Sequence, residues 1–164
     1  MTTVRAATAA DRAKVADSLS SAFSHDPLFA WMMGAEPSAS LEPKMRIFFD
    51  ALLKLDLGRD QLVFTDENTT GAAIWRAPNK WKVPTGDLVR AMPAMLRAFG
   101  TKVPRMVSAL TAIEKVHPKE EHYYLESSNV RNVPFYARHG FETTGEIVCG
   151  KGAPTVTAMW RDPR

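Results

Sequence analysis

Side chains able to do chemistry gather in one stretch, Tyr123–Phe141, with the sequence YYLESSNVRNVPFYARHGF. It holds a carboxylate at Glu126, amides at Asn129 and Asn132, and a phenol at Tyr136, shortly before Gly140. On spacing alone Tyr136 reads equally as a phenol placed for a reaction and as a core tyrosine whose hydroxyl is satisfied locally. The stretch also carries its own scaffold. Tyr123-Tyr124-Leu125 suits a buried strand. Ser127, Ser128 and Asn129 supply cap oxygens, and a short helix then ends at Arg138-His139-Gly140 with basic residues and a glycine stop.

Other chemistries lack the residues they need. There is no G-x-G-x-x-G, no Walker-type glycine loop and no G-x-S-x-G elbow, so dinucleotide, P-loop and hydrolase sites have no backbone device here. Gly150-Lys151-Gly152 is better explained by a hairpin turn. His117 and His122 bracket Pro118 and form no helical metal pair, so all four histidines read as surface or capping residues and no metal site is expected. Between Arg76 and Arg105 the basic residues Arg76, Lys80, Lys82, Arg90, Arg97, Lys102 and Arg105 face a single acid, Asp87. Such a run can hold phosphates, but it is more often the solvated face of helices. Nucleic acid would want exposed aromatics beside it, and the spacing of Trp75 and Trp81 matches no nucleic-acid module.

The elements that must position this stretch follow from periodicity. Val4–Ala7 is a short strand leading into a Thr8–Asp11 capping box and a helix with Val15, Leu19, Ala22 and Phe23 on one face. Pro27 ends it. LFAWMMG is too short to be a clear helix and too apolar for an open loop, so it folds over the core or lines a pocket. Leu41–Leu57 is a second helix with Gly58 as its stop. QLVFTDENTTGAAIWR is a hairpin around Asp66–Gly71, and Trp75–Trp81 leaves it as an irregular loop. Thr85–Phe99 and Val103–Val116 are helices, the first kinked or shortened by Pro93, the second with Pro104 tolerated in its first turn. Thr143–Cys149 and Thr155–Trp160 form a final hairpin around GKGAP.

With 164 residues, 45% of them hydrophobic and 24% charged, one domain spanning 1–164 is expected. The net charge of +3 suits a phosphorylated ligand as well as nucleic acid. A single cysteine, Cys149, leaves no internal disulfide or thiolate-rich metal site and points to a reducing cytoplasm. No stretch has the length and apolarity of a signal peptide or a membrane span.

Asn132-Val133-Pro134-Phe135-Tyr136-Ala137-Arg138-His139-Gly140-Phe141 resembles the C-terminal signature of the GCN5-related N-acetyltransferase superfamily, an Asn-containing helix start followed by Tyr-x-x-x-Gly-Phe. The remaining segments agree in order, including a DPLFAWM stretch like the acceptor-side loop, a hairpin ending AAIWRAP and a final GEI…TAMWR hairpin. The resemblance implies an α/β (α+β) fold, with a mixed, mainly antiparallel central sheet flanked by helices. It implies transfer of an acetyl group from acetyl-CoA directly to an amine of a small molecule or peptide. Tyr136 is then the general acid for the departing thiolate. Asn129, Asn132 and Phe135 contact coenzyme A, Glu126 is a candidate base, and Asp26 and Trp31 lie on the acceptor side. Glu126 and Asp26 remain open to a second reading as cap or surface charge. The chain departs from the family at one place. Where the family has a Gln/Arg-x-x-Gly-x-Gly/Ala loop and a helix that bind the pyrophosphate, HYYL passes straight to ESSNVRN, a gap on the order of 30 residues, as in a strand–helix–strand unit. Two expectations follow: a catalytically impaired remnant or binding module as the alternative function, and uncovered apolar surface that invites instability, a homodimer or replacement by the Thr85–Val116 helices. The Arg76–Arg105 run would offer substitute phosphate contacts.

Overall fold

The computed structural model describes residues 3–57, 62–76, 82–119 and 122–163. In chain order the elements are β1 (Val4–Ala6), α1 (Arg12–Phe23), α2 (Pro27–Met33), α3 (Glu42–Asp56), β2 (Leu62–Asp66), β3 (Ala72–Trp75), α4 (Thr85–Phe99), α5 (Val103–Val116), β4 (Tyr123–Ser127), α6 (Val133–Arg138), β5 (Glu142–Val148) and β6 (Thr155–Arg161). The chain divides into two compact units: residues Met1–His25 with Ser38–Gly100, and Asp26–Pro37 with Thr101–Arg164. The expected α+β architecture with antiparallel strands and flanking helices is observed, its strands shared between two three-stranded sheets, one per unit.

In the first unit β2 is central, antiparallel to β1 and β3. The expected capping box starts the region before α1: Asp11 accepts from the Thr8 backbone N–H at 2.8 Å and its hydroxyl at 2.9 Å. α1 packs on α3 through Val15, Ala16, Leu19, Met45, Phe49 and Leu53, all buried. One detail differs from expectation, since Ala22 is exposed while Ala16 and Ser20 are buried, the apolar face being rotated toward α3. α4 continues through Pro93 for all 15 residues, so the proline does not shorten it. Gly58, Lys80 and Trp81, named above as stop, basic and aromatic residues, lie outside the described residues.

The second unit has the strand order β4-β6-β5. LFAWMM, too short to be assigned from its spacing, is a helix that buries Leu28, Ala30, Met32 and Met33. Asp26, held extended before Pro27, caps α2, and Gly34 closes it at φ +67. Seven residues are too few for periodicity to reveal, but the cap, the first-turn proline and the left-handed glycine are sufficient local signals. α2 packs against α5, and α5 lies against β5.

Candidate active site

Asp26, Trp31, Glu126, Asn129, Asn132, Phe135 and Tyr136 all lie in the second unit. β4 carries Glu126 and ends at Ser127, whose hydroxyl donates to the Asn129 carbonyl at 2.9 Å. Asn129 Oδ1 accepts from the Arg131 N–H at 3.0 Å and so caps a single 3₁₀ turn, Val130–Asn132, that leads directly into α6. Asn132 is the residue before α6; it is exposed and its side chain makes no cap bond. α6 ends as the spacing predicts, with Gly140 at φ +83 and the Phe141 N–H returned to the Tyr136 carbonyl at 3.2 Å.

Tyr136 is half-buried on α6, its ring set edge-on to Phe135 at 5.4 Å and to Phe141 at 6.2 Å between centroids. Phe135 is 49% exposed, with the Arg138 guanidinium 5.7 Å from its ring centre. Arg131, Arg138 and His139 are exposed around this helix. An exposed aromatic ring beside several basic side chains fits an elongated, phosphate-bearing ligand in charge and in apolar surface.

Asp26 is buried and accepts three hydrogen bonds, from the Leu28 N–H at 2.9 Å, the Phe29 N–H at 3.0 Å and the Ser128 hydroxyl. It thereby ties α2 to the corner between β4 and α6. Trp31, half-buried on α2, lies under the Arg105 guanidinium, 5.4 Å from its ring centre, and Arg105 also donates to the Trp31 carbonyl at 2.9 Å.

Among the described residues no hydrogen bond or ion pair joins Glu126 to Tyr136. Glu126 Oε1 lies 4.0 Å from His117 Nδ1. His117 in turn meets His122 at 5.3 Å and Tyr124 at 5.0 Å, and His122 stacks on Trp160 at 5.0 Å. This corrects the surface assignment for these two histidines, which are half-buried in an aromatic cluster; His25 and His139 are exposed, as expected. The Tyr124 hydroxyl is buried without a hydrogen-bond partner among the described residues. Burial and, secondarily, the charge of Glu126 raise its pKa well above that of an ordinary phenol. Burial likewise pushes the Cys149 thiol up, so it behaves as an inert core residue.

Arg161 was not singled out by the sequence. It pairs across the sheet with Tyr123, its guanidinium lies 4.6 Å from the Tyr123 ring centre and 5.0 Å from that of Phe141, and Nη1 donates to the His139 carbonyl at 3.0 Å. It thus fixes the end of α6 to the sheet. The only local signal was its place after Trp160 at the end of the last strand, which says nothing about register. Within the basic run Lys82, Arg90 and Arg97 are exposed, as a solvated helix face would be, whereas Arg76 is half-buried and pairs with buried Asp56 at 2.9 Å. Among the described residues, no group of His, Cys, Asp and Glu could hold a metal ion, and no helix is long and apolar enough to cross a membrane.

No family model and no curated protein matches this chain. Among solved structures, the chain is similar to one described as histone acetyltransferase HPA2 and related acetyltransferase from Corynebacterium glutamicum. The two share 21% sequence identity and a TM-score of 0.61, over 99% of this chain and 97% of that one. The chain has that fold.

Proposed function

We propose that this protein is an acetyl-CoA-dependent N-acetyltransferase acting on an amine of a small molecule or peptide, with all 164 residues working as one catalytic domain. The observation that carries the reading is the position of Tyr136, on a short helix that leaves the end of β4 through an Asn129 cap and is closed by Gly140-Phe141. The acetyltransferase described for the similar fold supports it. The chemistry requires a nucleophilic amine to displace a thiolate from a thioester carbon. Tyr136 would give its phenolic proton to that thiolate, and Glu126 would take the proton lost by the amine. Of the tyrosines flanking this corner, Tyr124 holds its proton more tightly than an ordinary phenol and is the poorer donor. Asn132 and Phe135, exposed on and beside α6, would meet the coenzyme A arm together with Arg131 and Arg138, while Asn129 shapes the turn between them.

One observation favours a second reading, a binding module or catalytically impaired remnant. β4 stops at Ser127 and Asn129 already caps the next turn, leaving no long helix after this strand whose N-terminus could take a pyrophosphate. Each missing charge-assisted hydrogen bond would cost about 1.5–3 kcal/mol of binding.

A thermal-shift titration with acetyl-CoA separates the readings, because a ligand at about 100 times its dissociation constant stabilises by about 2.7 kcal/mol. A shift is expected; none at millimolar ligand would sink the enzyme reading. Tyr136→Phe is expected to slow acetyl transfer to a panel of amines by about 10²-fold or more while coenzyme A affinity stays within a few-fold. Binding without turnover in the wild-type protein would favour the binding module.

A further inference from the structure

The 15-residue helix α4 has two long faces of different character. One is turned inward, where Asp87, Met95, Ala98 and Phe99 are buried and the helix packs on α3. At about 3.6 residues per turn the opposite surface falls to Val89, Pro93 and Leu96, all exposed. Leu88 and Met92 extend it on one flank, and Arg90 and Arg97, two turns apart on a single row, line the other. The apolar side chains stand well out, Val89 being 67% and Leu96 54% exposed. A surface helix ordinarily shows polar residues at such positions, so a contiguous apolar strip here marks a contact surface.

The charges and the shape of the strip decide what it fits. The one acid on α4, Asp87, is buried and paired with Arg90 at 3.1 Å. Every charge that α4 shows to solvent is therefore positive, Arg90 and Arg97, and Arg97 forms no ion pair among the described residues. Lys82, just before the helix, is exposed as well. Such a surface attracts an anionic partner. The strip is also convex, so a protein would need a matching apolar groove with an acidic rim. An anionic bilayer takes a convex apolar strip of any outline, and its phosphates lie at the depth that the arginine heads reach from their apolar stems. With 15 residues and two arginines, α4 would lie along such a surface and could not cross it. We propose that the outward face of α4 docks this protein on an anionic lipid surface, with Val89, Met92 and Leu96 at the acyl boundary and Arg90 and Arg97 at the headgroup phosphates.

Co-sedimentation of the full chain with vesicles tests this, using phosphatidylcholine alone and phosphatidylcholine mixed with phosphatidylglycerol. The wild-type protein is expected to bind the mixed vesicles about tenfold or more tightly than the neutral ones, and to lose that preference in high salt. V89E and L96E should each weaken binding to the mixed vesicles by about tenfold or more. Arg97→Gln should weaken it about fivefold and leave binding to neutral vesicles unchanged. Circular dichroism and unfolding midpoints of each variant confirm that the fold is retained, since all three positions are exposed. A wild-type protein that ignores the mixed vesicles, or binds both kinds equally, would overturn the proposal. So would vesicle binding indifferent to both V89E and L96E. If those variants instead abolish a self-association or a hold on polyglutamate while vesicle binding is nil, the face belongs to a second copy or to an acidic protein, and the lipid assignment falls.

Discussion

Asp66 shows how much of a turn one carboxylate can organise. At the end of β2 it accepts hydrogen bonds from the backbone N–H groups of Asn68 at 2.8 Å, Thr70 at 3.0 Å and Gly71 at 3.0 Å, and from the Thr70 hydroxyl at 2.6 Å. The Thr70 hydroxyl, with the backbone donors behind it, holds its pKa down to about 2 from an ordinary 3.8. A depressed carboxylate stabilises the folded state above its unfolded pKa and loses that contribution as pH falls through the folded value. Asp66→Asn should therefore destabilise the protein at neutral pH. The gap between wild type and variant should close as pH falls from about 4 to about 2, as read from urea unfolding at a series of pH values. Asp11, held well below the usual carboxylate range by Arg5 and then by Thr8, loses its contribution in the same direction. The Thr8–Asp11 partnership was legible from the sequence because it spans three residues. The environment of His117 was not, because Glu126, Tyr124 and His122 reach it only once the chain has turned back after α5.

At the scale of elements, α2 is the most instructive case. A seven-residue helix is marginal on its own, since nucleation is costly and propagation short. Its termini compensate: Asp26 satisfies two orphan N–H groups, Pro27 fixes the first turn, and Gly34 supplies the left-handed close. Asp26→Ala should cost about 0.5–2 kcal/mol, and Ser128→Ala less, because Ser128 reaches only the second carboxylate oxygen. Chemical denaturation of both variants checks the order. Equal losses would mean that the cap is not the dominant role of Asp26. Pro93 illustrates the opposite case, a local helix-breaking signal overridden by burial of Met95, Ala98 and Phe99 on the same helix.

Each unit of the molecule rests on its own core. In the first unit Leu53 is fully buried where α1 packs on α3, with Met45 and Val15. Leu53→Ala should destabilise by about 2–5 kcal/mol through lost transfer energy and a residual cavity, measurable by urea unfolding. A change below about 1 kcal/mol would mean that the packing there relaxes freely. The sequence by itself determined nearly every strand and helix, the hairpin turns, the absence of the common glycine-loop and nucleophile motifs, and Tyr123–Phe141 as the stretch where candidate side chains gather. Those features depend on residues close together in the chain, whose spacing fixes which face, cap or stop they form. Only the tertiary structure decided that Asp26 is tied to Ser128, 102 residues away, and that Arg161 braces α6. It also decided that Glu126 lies 4.0 Å from His117, and that β5 pairs only with β6 among the described residues. These depend on strand order and register, which are set by the combined packing of distant segments and leave no mark in local spacing.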